Sequence, residues 1–174
     1  MIEIIAEWEL GAEDEAQIVR LLAACFSTDF GGRSFFQQRP HFRIVWREAG
    51  QIIGHMAVMM RAIRLNGALV DVAGLADVAT HPNHRGKGIA AVLLQATIAQ
   101  VRTTQAQYFL LFCTAGLYAA NGFAAAQNPI TYVDLRGAQT GAVRVEIVHG
   151  LRVLPLRGQI WPVDAPVDML GGLF

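Results

Sequence analysis

Cysteine is scarce: Cys25 and Cys113 are all the chain has. Two thiols in apolar surroundings make no disulfide framework, so the sequence predicts reduced cysteines and a cytoplasmic protein. The apolar run 109–112 predicts a buried, inert thiol at Cys113. Positive charge is not in excess, because 14 Lys and Arg balance 14 Asp and Glu. The electrostatic footprint of a nucleic-acid binder is therefore missing. No uncharged apolar run reaches the length of a membrane span. The start, Met1-Ile2-Glu3-Ile4, has no basic region leading into an apolar stretch, so no signal peptide is expected. No His–Cys spacing suggests a metal, and there is no internal repeat or low-complexity segment.

What is present is apolar: 53% hydrophobic against 16% charged residues over 174 positions. That balance excludes disorder and predicts one globular domain over residues 1–174. Residues 2–9 read as a first strand, broken by Gly11. Glu13, Asp14 and Glu15 sit where a helix start prefers acids, and Ile18, Leu21, Leu22, Cys25 and Phe26 recur at helical spacing. An amphipathic helix is expected over 12–26. Residues 27–41 are polar but carry Phe30, Phe35 and Phe36, either a wall or lid over a ligand or a cap on the edge of the core. Strands follow at 42–48, 51–64 and 68–80, with Ala49-Gly50 as one turn and Asn66-Gly67 as a hairpin turn. Gly74 predicts a bulge or a close approach to a ligand. A helix over 86–103 leads to a short strand at 108–113. Strand, crossover helix and strand imply a parallel pair beside an antiparallel meander, hence a mixed α/β (α+β) fold flanked by helices. Further strands are expected at 131–135, 143–148 and 151–154. The tail 161–174 is too rich in proline and glycine for regular structure.

The stretch around which the chain is organised is Val78-Ala79-Thr80-His81-Pro82-Asn83-His84-Arg85-Gly86-Lys87-Gly88-Ile89-Ala90. A strand end, a turn of little bulk and a helix start together make an anion site. The first-turn amides point outward and the helix dipole favours negative charge. Gly86 and Gly88 let the backbone approach a phosphate, and Arg85 and Lys87 add positive charge. His81 reads as a turn residue and His84 as an exposed or phosphate-adjacent group. No Gly-x-x-x-x-Gly-Lys-Ser/Thr or Gly-x-Gly-x-x-Gly is present, so other nucleotide loops fit worse.

This stretch resembles motif A of the GCN5-related N-acetyltransferases, Arg/Gln-x-x-Gly-x-Gly/Ala, met by Arg85, Gly88 and Ala90. A second family segment, Tyr-x-x-x-Gly-Phe, is matched by Tyr118, Gly122 and Phe123. The resemblance implies a mostly antiparallel sheet with a parallel pair splayed at an acyl-CoA site. It implies acetyl-CoA as cosubstrate, its pyrophosphate on Arg85, Gly86, Lys87, Gly88, Ile89 and Ala90, and its pantetheine along the backbone of Val78, Ala79 and Thr80. No metal is implied. Tyr118 is the implied general acid for the departing thiolate, with a core tyrosine as the alternative. Asp77, beside the reacting strand segment, is a candidate proton acceptor for the amine.

Residues 52–123 look most like the aminoglycoside 2'-N-acetyltransferases. Phe26-x-x-Asp29-Phe30 is similar to a segment whose aspartate belongs to their acceptor site. Trp161, Pro162, Asp168 and Gly171 resemble the tail of the nodulation-factor N-acyltransferases. Both groups acylate an amino sugar, so the resemblance implies a small-molecule amine acceptor bound by Asp29, Phe30 and Asp168. A longer acyl donor and a non-catalytic acyl-CoA-binding domain stay open as alternatives. The aminoglycoside enzymes carry a glutamate aligned with Ala76, one residue before Asp77. A one-residue offset turns a strand side chain to the other face unless a bulge intervenes. The apolar region 151–163 makes a homodimer possible to build, and core packing explains the same residues.

Overall fold

The first helix begins where three acids follow Gly11, and the computed structural model, which describes residues 1–135 and 139–174, runs α1 over Ala12–Cys25. The described chain forms two compact units. One comprises Met1–Met59 with Leu75–Gln100, the other Met60–Gly74 with Val101–Phe174. Two long strands, β3 (Gln51–Leu65) and β4 (Ala68–Thr80), contribute residues to both.

In the first unit the strand order is β1 (Ile2–Ala6), β2 (Phe42–Glu48), β3, β4. The β1–β2 and β2–β3 ladders are antiparallel. The strand expected over 2–9 stops at Ala6 and tightens into a 3-10 turn over Glu7–Glu9. The turn lets the Glu7 carboxylate pair with Arg39 and Arg43 at 2.7 Å each. Helix α1 packs Ile18, Leu21 and Leu22 against Val45, Ile52 and Ala79. Phe30 is buried in the same cluster, with Phe36 against it, so these two rings close the edge of the core. The Gln17 amide donates to Gly50 O and accepts from Ile52 N, tying α1 to the turn before β3. Arg47 is bound by both Glu3 and Asp14, which clamps β1 and α1 onto β2.

In the second unit the order is β6 (Ala124–Ala125), β9 (Leu151–Pro155), β5 (Tyr108–Phe112), β4, β3, β10 (Val167–Asp168), β7 (Pro129–Val133), β8 (Val143–Ile147). Strand β5 runs parallel to β4, pairing Val72 with Tyr108 and Gly74 with Leu110. Helix α2 (Ile89–Arg102) is the crossover that makes this possible. Strand β9 pairs antiparallel with β5 on its other side. The sheet is therefore mixed, as the strand–helix–strand pattern implies, with helices flanking it. Its core gathers Ile63, Val72, Leu110, Ile130, Val153 and Trp161.

Several expectations need correction. The tail is not wholly irregular. Trp161 is buried with its ring edge-on to Tyr108, and Asn128 accepts from the indole and donates to Pro162 O and Ala165 O. That anchor lets Val167 and Asp168 pair with β3 and β7. Gly74 is neither a bulge nor open to a ligand, because the Phe174 ring fills the space its Cβ would take. Cys113 is exposed: β5 ends at Phe112, and the next residue keeps only a backbone bond to Gly150 O. No helix among the described residues is long and apolar enough to cross a membrane.

Candidate active site

Strand β4 ends at Thr80 and the chain enters a 3-10 turn over Pro82–His84. His81 Nδ1 accepts from Asn83 N and caps that turn. His84 is half-buried, with its Nδ1 3.3 Å from Glu48. The loop that follows is exposed from Arg85 to Gly88. Gly86 and Gly88 stand at φ +76° and +78°, the left-handed region that glycine enters without penalty. Those dihedrals explain why α2 starts at Ile89 and not at residue 86. Gly88 O accepts from Ala91 N and Val92 N, so Gly88 caps the helix and the amides of its first turn face outward. A Cβ at either glycine would meet nothing within 4 Å, so the loop is an open shelf. Arg85 folds back, its Nε donating to Thr80 O, while Lys87 is exposed. This donor set suits a diphosphate.

Within the first unit β4 is the terminal strand, and its parallel ladder to β5 ends at Gly74. Ala79 points into the core cluster, so its side chain is closed to a ligand. Thr80 O also accepts from the Cys25 thiol at 3.3 Å.

Asp77 interrupts β4 at φ +49°, a conformation that costs a side-chain-bearing residue about 1 kcal/mol or more. Its carbonyl accepts from His55 Nδ1 at 2.8 Å. Its carboxyl oxygen Oδ2 is buried without a hydrogen-bond partner. Burial pushes the carboxyl up to about 6, against the pull of the Arg43 guanidinium. A carboxylate poised there accepts a proton at neutral pH and gives it up readily.

In the second unit, α3 (Gly116–Ala120) carries Tyr118. The helix ends at Asn121, and Gly122 at φ +88° turns the chain. Tyr118 is buried and packs edge-on against Phe123. Burial first, then the Cys113 thiol, pushes its phenol up to about 12, so it stays protonated across the physiological range.

The residues expected at an acceptor site serve local structure. Exposed Asp29 accepts from Gly31 N at 2.7 Å. Phe30 is core. Half-buried Asp168 accepts from Leu170 N at 2.9 Å, closing a turn in which Leu170 is left-handed. Among the described residues no group of His, Cys, Asp or Glu gathers to hold a metal. Sequence reasoning missed Arg43 and His55, both fully buried. The available signal was a histidine inside the apolar run 52–59, since a polar group in such a run needs a partner.

The family described as acetyltransferase (GNAT) domain matches residues 9–126. Among solved structures, the chain resembles the GNAT-family N-acetyltransferase YhbS of Escherichia coli in complex with CoA. That match has a TM-score of 0.68 and 18% identity, over 97% of this chain and 88% of that one. It also resembles a GNAT-family acetyltransferase of Brucella melitensis in complex with acetyl-CoA, at TM-score 0.64 and 21% identity over 95% and 94%. The ribosomal-protein-S18-alanine N-acetyltransferase of E. coli gives TM-score 0.60 and 16% identity over 93% and 98%. At these identities the likeness establishes the fold. Among curated protein sequences none matches this chain.

Proposed function

The chain belongs to the GNAT acetyltransferase family, and on that premise we propose that it transfers an acetyl group from acetyl-CoA to a primary amine of a small molecule, an amino sugar or aminoglycoside. The observation that carries the donor half is the exposed loop, with two left-handed glycines at the mouth of α2. Two of the similar structures contain CoA or acetyl-CoA, which supports the same donor here. The acceptor half rests on the likeness of residues 26–30 and 161–171 to amino-sugar acylating enzymes.

The loop from Arg85 to Ala90 receives the donor's pyrophosphate, Lys87 supplying charge and the backbone supplying amides. The pantetheine arm pairs with Val78, Ala79 and Thr80 as an added strand, and an amide there donates to the developing oxyanion. Such a donor is worth about 3 kcal/mol of barrier. Asp77 takes the proton of the attacking ammonium. The neutral amine attacks the thioester carbonyl, a C–N bond forms, the C–S bond breaks, Tyr118 protonates the leaving thiolate, and the second proton that the nitrogen sheds on becoming an amide restores the Tyr118 phenol. Asp29 and Asp168 attract the remaining ammonium groups of the acceptor.

Calorimetric titration with acetyl-CoA tests the donor. Lys87→Glu should weaken binding about tenfold, roughly 1.4 kcal/mol, and unchanged affinity would remove the loop assignment. CoA release with two matched aminoglycosides, one bearing a 2'-amine and one a 2'-hydroxyl, tests the acceptor. Turnover with the amine alone is expected. Turnover with neither, alongside tight acetyl-CoA binding, leaves the donor standing and discards the aminoglycoside.

A further inference from the structure

We propose that Arg43 and His55 are positioning residues that hold the peptide at Asp77 in its left-handed conformation and so aim the Asp77 carboxyl at the acceptor amine. The proposal rests on Asp77 as the proton acceptor and adds what keeps it in place.

The geometry fixes the chemistry of the imidazole. Asp77 O is a carbonyl 2.8 Å from His55 Nδ1, so Nδ1 carries the hydrogen and donates it. Nε2 then has only a lone pair, and it accepts from Arg43 NH1 at 3.1 Å. A proton on Nε2 would face the guanidinium directly, so the ring is neutral. Burial and the charge of Arg43 push its titration down to about 3. Arg43 cannot turn away. Its Nε and NH2 are bound by the Glu7 carboxylate at 2.7 and 3.1 Å, and it donates to Ser34 O and Ser34 Oγ. The hydrogen bonds run in one direction: Arg43 donates to His55, which donates to Asp77. The charged groups facing the cluster are Glu7 from the 3-10 turn and Glu15 from α1, the latter bonded to Ser34 and paired with Arg39.

Burial of an ion pair does not by itself explain this network. A buried arginine with one carboxylate is frequently replaceable by apolar side chains at no loss, and a left-handed aspartate in a strand is itself a cost. The network accounts for that cost by giving the Asp77 carbonyl a fixed donor. It also gives Asp77 a buried positive neighbour that favours its ionised form. Through Ser34 the same guanidinium holds the segment 27–41, which contains Asp29 and Phe30, so the acceptor segment and the base share one anchor.

The test compares His55→Leu, His55→Gln and Asp77→Asn in steady-state acetyl transfer to whichever amino sugar gives turnover, with acetyl-CoA affinity by calorimetry as a folding control. His55→Leu should lower kcat about tenfold or more, the scale of a misplaced reacting group. The KM for acetyl-CoA should change less than kcat, because the loop that receives the pyrophosphate is untouched. The acidic limb of the kcat/KM profile should move, and His55→Gln, which keeps a donor, should recover most of the rate. A folded His55→Leu with unchanged kcat and pH profile overturns the proposal. If Asp77→Asn keeps wild-type rate, the proton acceptor is misassigned and the positioning role goes with it. If Asp77→Asn loses activity while His55→Leu does not, only the positioning role fails. Should His55→Leu not fold, the ring 15N shifts of wild-type His55 decide: a neutral Nδ1–H tautomer supports the proposal and an Nε2–H tautomer overturns it.

Discussion

Tyr118 shows why burial alone does not separate a working side chain from a packed one. It is only 5% exposed, its ring meets Phe123, and both facts suit a core tyrosine. The proposed acid role places a further demand on its hydroxyl. An acid for a thiolate must be protonated when the thiolate forms, and a phenol pushed up to about 12 meets that condition at any pH the protein works in. Tyr118→Phe removes the proton and keeps the ring packing. We expect kcat to fall about 100-fold, the usual worth of a general acid, with calorimetric acetyl-CoA affinity and melting temperature unchanged. A rate within twofold of wild type would return Tyr118 to the core.

The strand β4 carries more of the architecture than its length suggests, because different stretches of it do different work. Its last residues lead into the glycine loop, Asp77 takes a left-handed conformation within it, and Gly74 accommodates the tail. A Cβ at Gly74 would lie 2.0 Å from the Phe174 ring, and Arg61 lies over that ring at 4.2 Å while donating to Gly172 O. Gly74→Ala therefore has to expel Phe174. We expect a loss of about 1–3 kcal/mol by denaturant unfolding. Gly74→Ala combined with Phe174→Ala should cost clearly less than the sum of the two, since contacting residues couple. Additive losses would mean that the two positions do not touch. The same strand shows what was legible in the sequence. The loop and helix at 85–102 could be read because glycine and helical periodicity are local signals. The hairpin at Asn66-Gly67 was equally local. Gly74 was singled out correctly but given the wrong neighbour, since nothing local says that a residue a hundred positions later returns to it. Arg43 and His55 were invisible for a similar reason. Their pairing depends on the register that sets Val45 opposite His55 and Arg43 opposite Ala57, and register is a property of two strands together. Cys113 was misread because an apolar run was assumed to stay in the sheet one residue longer than it does.

At the scale of the whole chain these buried groups set how stability answers to pH, and two of them act in opposite directions. His55 takes up a proton near 6.5 when unfolded and only near 3 when folded, so its contribution is lost as pH falls from 6.5 toward 3. Asp77 releases its proton near 3.8 when unfolded and near 6 when folded, so its contribution is lost as pH rises from 3.8 to 6. Each slope is about 1.4 kcal/mol per pH unit. Over the window from 3.8 to 6 they cancel, and the wild-type protein should show a plateau there. Below that window His55 acts unopposed. Glu3 and Glu15, both held below the usual carboxylate range by hydrogen bonds, to Arg47 and to Ser34 respectively, add to the acid loss as they protonate. Asp77→Asn removes one of the opposing slopes and tolerates the left-handed backbone, since asparagine enters that region readily. The variant should match wild type near pH 3.5, where Asp77 is already neutral. It should then grow more stable than wild type through pH 6, by up to about 3 kcal/mol, while losing acetyl transfer. Melting temperatures of the two proteins from pH 3.5 to 7.5 measure this directly. A difference that does not change with pH would mean that the Asp77 carboxyl is not desolvated in the folded chain. A difference that opens between 4 and 6 would identify the same buried carboxyl as a cost to stability and a requirement for transfer.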